Sequence, residues 1–93
     1  MKFAMYSIYD KAVGTYAMPF SFRVTPHSQH GPAIRSFRRL YGDRDSMLSV
    51  APQDFELFQV AEFDDETGSI SASLQLIDTG AFARAKDEVS HEV

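Results

Sequence analysis

Ninety-three residues without a cysteine make one domain and exclude both disulfides and thiolate metal sites. A formal net charge of −4 argues against a general polyanion binder. No apolar run is long enough for a membrane span, and Asp10 and Lys11 interrupt "MKFAMYSIYDK" too early for a signal peptide, so the expected compartment is a reducing cytoplasm.

"FAMYSIYD" alternates, with Phe3, Met5, Ser7 and Tyr9 on one face and Ala4, Tyr6 and Ile8 on the other. Both faces are largely apolar, which predicts a central strand. "DKAVG" supplies a turn opened by Asp10 and closed by Gly14. "TYAMPFSFRV" returns as a second strand. Pro19 has no N–H to donate, which places that strand at an edge or a bulge. After the loop "TPHSQHGP", Pro32 suits the first position of a helix. Ile34, Phe37, Leu40 and Tyr41 follow at helical spacing, and Gly42 is the stop. "DRDSMLSVAPQD" reads as a short irregular or helical piece bringing Met47, Leu48 and Val50 to the core.

"FELFQVAEF" is the third strand and "SISASLQL" the fourth. In the fourth, Ile70, Ala72, Leu74 and Leu76 point one way and Ser69, Ser71, Ser73 and Gln75 the other, predicting one packed face and one wet face. "DDETG" joins these strands as a turn closed by Gly68 with positive φ. "DTGAFARAKDEV" predicts a short C-terminal helix that must dock or fray, and residues 90–93 a flexible tail after a compact domain over 1–89. The expected fold class is α+β: a small antiparallel sheet of about four strands, β-β-α-β-β, with one central helix packed on one face.

Charge is segregated along the chain. Residues 1–20 carry +1, 21–44 carry +4, 45–83 carry −8 and 84–93 carry −1. Arg23 precedes the helix, Arg35, Arg38 and Arg39 ride on one face of it, and Arg44 follows it. Guanidinium groups grip phosphate with paired hydrogen bonds, and Tyr16, Phe22 and Tyr41 lie near them in sequence as rings on which bases could stack. These eight residues are the candidate nucleic-acid site. The competing explanations are a charged outer helix face, or pairing of the arginines with the acidic hairpin, within one molecule or between two.

Asp64, Asp65 and Glu66 do not follow a calcium-loop pattern, because Gly68 falls where a ligand is needed. His27, His30 and His91 lack the companions of a zinc site. No nucleophile elbow or phosphate-binding glycine loop occurs. The expectation is therefore a protein without metal, cofactor or catalytic residues.

Three stretches carry a family resemblance: Pro19-Phe20 closing the first segment; Pro52, Asp54, Phe55, Leu57 and Phe58; and the turn Phe63, Asp64, Asp65, Thr67 and Gly68. With "RSFRR" between them, the chain resembles the small nonstructural protein of gokushovirus-like microviruses, phages with single-stranded DNA genomes. The resemblance covers roughly residues 5 to 70, with Ala61 standing where the family pattern more often has Gly. It implies a non-capsid protein of the host bacterial cytoplasm that supports viral DNA replication. Joined to the arginines, it gives the leading expectation: non-catalytic binding of single-stranded DNA, by a homodimer or higher homo-oligomer, with no membrane involved. The alternative is a protein-interaction module acting on a host or viral protein without nucleic acid.

Overall fold

The computed structural model describes residues 1–25, 29–43 and 45–80. In chain order the elements are β1 (Lys2–Asp10), β2 (Thr15–Tyr16), β3 (Phe20–Arg23), α1 (Gly31–Arg39), α2 (Met47–Val50), β4 (Phe55–Asp64) and β5 (Ile70–Thr79). Short 3-10 turns over Leu40–Gly42 and Pro52–Asp54 follow the two helices. The chain is thus mostly β, a small antiparallel sheet of five strands with short helices, in place of the expected four strands around one central helix. The C-terminal helix and tail expected over 81–93 lie outside the described residues.

β1 is the spine. It pairs β4 along one side and both β2 and β3 along the other, and β5 extends the sheet beyond β4. The second predicted strand is split because Ala17–Pro19 leave the ladder. Proline cannot donate to a ladder bond, and the break falls at a sheet edge, where that loss costs least. Ala17 keeps one tie on each side: its N–H donates to Ile8 O at 2.9 Å, and Ser7 Oγ donates to Ala17 O at 2.7 Å.

Both hairpin turns use the same chemistry. Asp10 Oδ1 accepts the N–H of Ala12 at 3.0 Å, and Gly14 at φ 82° donates to Asp10 O at 2.7 Å. Asp64 Oδ1 accepts the N–H of Glu66 at 2.9 Å, and Gly68 at φ 75° donates to Asp64 O at 2.8 Å. An aspartate that folds back on its own turn and a glycine free of Cβ strain fix both reversals.

Residues side by side on neighbouring strands share a face of the sheet. The inner face, under α1, carries Ala4, Tyr6, Leu57 and Phe55, closed by Ala33 and Phe37 of the helix and Leu48 of α2. Tyr6, Phe37 and Leu57 are fully buried. The Tyr6 hydroxyl sits 2.9 Å from His30 Nδ1 and donates to Gln29 O at 3.2 Å, so burial of this polar tip is matched by partners at the start of α1. Of the three residues expected to enter the core from 47–50, Leu48 alone does so; Met47 is 66% and Val50 71% exposed. A four-residue helix can turn only one of its sides inward, and the Ser46 cap, accepting from Leu48 N at 3.1 Å, sets which.

Candidate functional site

The helix places three of the predicted arginines together. Arg35, Arg38 and Arg39 all lie on the solvent side of α1, while Ala33 and Phe37 face the sheet. Asp78, from the inner side of β5, takes up the middle one. Arg38 Nε donates to Asp78 Oδ2 at 2.8 Å and Arg38 Nη2 to Asp78 Oδ1 at 3.3 Å, a two-pronged clasp between helix and sheet. The hydrogen bond it donates to Asp78, and the negative charge of Asp78, hold the Arg38 guanidinium's pKa above its ordinary value. Arg35 and Arg39 have no carboxylate partner among the described residues.

The other candidates are dispersed. Arg23 pairs with Phe3 and is exposed on the outer face of the sheet, away from α1. Tyr16 pairs with Tyr9 on that same outer face. Phe22 packs against the core, its ring 6.4 Å from that of Tyr6. Tyr41 stands edge-on to Phe37 at 5.3 Å and donates to Pro52 O at 3.2 Å. Burial first, and the charge of Asp78 second, push its hydroxyl up to about 12. Arg44 lies outside the described residues. Among the described residues the fold therefore does not assemble one surface of arginines and rings. Phe22 and Tyr41 are spent on packing, because alternation along β3 and the helical turn at residue 41 both direct them inward.

The acids of the β4–β5 turn have local work. The amino group of Met1 lies 3.0 Å from Asp65 and 3.6 Å from Glu66, and Asp65 N donates to Met1 O at 3.1 Å. The hydrogen bond this amino group donates to the Asp65 carboxylate raises its pKa. Among the described residues no three His, Asp or Glu side chains converge as a metal site.

Two apolar features were not foreseen. An open cleft of about 380 Å³ between α1 and the β1–β3 edge is lined by Ile8, Phe20, Phe22, Ser36, Phe37 and Leu40. It offers one hydroxyl and no titratable side chain, so it suits an apolar guest more than a reaction.

The larger feature is the outer face of the sheet. Strand register aligns Phe3 with Phe63 and Ile70, Met5 with Ala61 and Ala72, and Ser7 with Phe58 and Leu76. Tyr9, Tyr16 and Phe58 form an aromatic cluster with centroid separations of 4.6–6.1 Å, and Phe3 and Phe63 lie 6.4 Å apart. The alternation of β5 is as predicted, but its apolar side faces outward. Ile70 is 63%, Leu74 65% and Leu76 49% exposed. Register explains the reversal: Ile70 and Leu76 sit beside Phe63 and Phe58, on the face opposite α1. The apolar rows of β1 were visible, since both its faces are largely apolar; the missing signal was that α1 covers only one of them.

No helix is long and apolar enough to cross a membrane among the described residues. Comparison with curated proteins and with solved structures found no match. The model of the phage ORF5 protein family matches residues 3–82, which takes in β1 from Phe3 onward and every other strand and helix of the described residues. With that span, the chain belongs to the phage ORF5 protein family.

Proposed function

We propose that the chain is a non-catalytic accessory protein of a phage, acting in the host bacterial cytoplasm by docking a second protein on its outer sheet face. The observation that carries this is an apolar row on a protein of net negative charge: Tyr16, Ile70 and Leu76 are open to solvent, beside the half-buried rings of Phe58 and Phe63. Contiguous apolar surface beside aromatic rings is the usual chemistry of a protein contact. A nucleic-acid groove instead needs several cations to track phosphates, and this face has Arg23 at its rim. Capture from infected cells after nuclease treatment is the test. Tyr16→Asp, at a strand edge and 46% exposed, places a charge in the aromatic cluster without emptying the core. It should abolish recovery of a protein that the unaltered chain retains; equal recovery by both rejects the proposal.

Support of viral DNA replication by binding single-stranded DNA is the second reading. It is favoured by Arg35 and Arg39, exposed on one helix face. With Arg38 held by Asp78, about two phosphate contacts remain, so log affinity should fall against log salt with a slope of about −1 to −2. Arg35→Ala with Arg39→Ala must remove that binding if this reading holds.

A further inference from the structure

β5 ends the sheet, and among the described residues nothing pairs with its outer edge. Long unpaired edges are usually blunted by lysine, proline or an inward charge. From Ser69 to Ile77 this strand has none of these: every residue is apolar, serine or glutamine. Ile70 through Leu76 are all exposed, including the side chains on both faces. From Ile70 to Leu76 the pattern of apolar and polar residues is also symmetric about Ser73. Leu74 answers Ala72, Gln75 answers Ser71 and Leu76 answers Ile70.

We infer that β5 pairs antiparallel with β5 of a second copy, about a two-fold axis through Ser73, joining two sheets into one. In this register Ala72 meets Leu74 of the second copy, and Ile70 meets Leu76, so each apolar residue has an apolar partner on the outer face. Small meets large in the first pair, which allows close packing. Ser71 meets Gln75 and Ser73 meets itself on the inner face, where hydroxyls and amides hydrogen-bond each other. Asp78, already clasped by Arg38, meets Gly68, so no carboxylate opposes another. Neighbouring registers fail. Centring on Ala72 sets Asp78 against Glu66 and Leu76 against Gly68. Centring on Leu74 sets Ile70 against Asp78. The two-fold operation makes the contact self-complementary and closed, so it stops at a dimer.

The purified full-length chain tests this without any other partner, and Tyr16→Asp, remote from the edge of β5, should leave it intact. Sedimentation should give about twice the 10.5 kDa chain mass as concentration rises. Leu74→Lys changes a side chain that is 65% exposed, so the fold survives and the mass falls to one chain. Met47→Lys, 66% exposed on α2, should stay dimeric. Ser73→Cys adds the protein's sole thiol. Mild oxidation should yield a covalent dimer, because directly opposed residues have Cβ atoms about 5 Å apart. Ser71→Cys should not, since the two copies of residue 71 would be four positions, about 13 Å, apart. A single-chain mass at the highest soluble concentration overturns the inference. So does cross-linking through Cys at 71 as readily as at 73.

Discussion

Gly80→Ala should be among the most damaging small substitutions in this chain. Gly80 is buried at the end of β5, and its N–H donates to Phe55 O at 3.2 Å. A Cβ there would collide with the Pro52 carbonyl oxygen and come within 2.6 Å of both the Pro52 carbonyl carbon and the Tyr41 hydroxyl. Its φ is not positive, so the penalty is one of space, not backbone conformation. Pro52 opens a 3-10 turn pinned between α2 and β4, so it has little room to yield. Forcing a methyl into a packed site costs about 1–3 kcal/mol, and displacing the Tyr41–Pro52 hydrogen bond adds about 1. The expected loss is about 2–4 kcal/mol, a large share of the roughly 5–15 available to a domain. Urea unfolding at fixed protein concentration measures it. With a slope of roughly 1 kcal/mol/M, the midpoint should fall by roughly 2–4 M. Gly42→Ala is the matched control: nothing lies within 4 Å of its would-be Cβ, so it should be neutral or stabilise by about 0.4–1 kcal/mol. If Gly80→Ala unfolds within about 0.5 kcal/mol of the unaltered chain, the close approach of β5 to Pro52 is refuted.

Phe37→Ala, at a site with no exposed surface, should cost about 3–5 kcal/mol in the same assay. Tyr6→Phe keeps the ring but strips His30 Nδ1 and Gln29 O of their shared hydroxyl, for a loss of about 1 kcal/mol. Tyr41 is held neutral in the fold up to about 12, against 10.0 when unfolded. Its contribution to stability is therefore complete below pH 10 and is lost as pH rises toward 12, because the unfolded chain sheds its proton first. Tyrosinate absorbance should show Tyr41 titrating late, with Tyr6 also raised by burial, and Asp78→Asn should bring the Tyr41 step down by removing a nearby negative charge.

Local rules made most of the frame legible. The two Asp-to-Gly turns, the helix opened near Pro32 and stopped before Gly42, the central position of β1 and the edge position of Pro19 all follow from a residue's own geometry or that of its near neighbours. What stayed hidden depends on contacts distant in sequence. Arg38 and Asp78 meet across 40 positions, so the run of arginines could not announce that one of them clasps the sheet. Gly80 resembles a helix start in "DTGAF", and nothing nearby signals that Pro52 will press against it. Met47 and Val50 are apolar at plausible spacing, yet one capped turn presents Leu48 alone to the core.

The direction of β5 is the most consequential of these, because alternation fixes which residues share a face and leaves open which face the helix covers. Residue period sets the pairs; register with β4 sets the side. Phe58 and Phe63 lie beside Leu76 and Ile70 on the side opposite α1, and so the stripe that looked like core is surface. Burying exposed apolar area is favourable by about 25 cal/mol per Å², and a strand edge without charge adds unpaired backbone groups to the same location. A single chain meets neither demand with its described residues. The same stripe that looked like core in the sequence can become core once a second polypeptide lies against it. On the proposed reading, the functional weight of the molecule thereby moves from the arginines of α1 to the outer face of the sheet and to the edge of β5 that no described residue pairs.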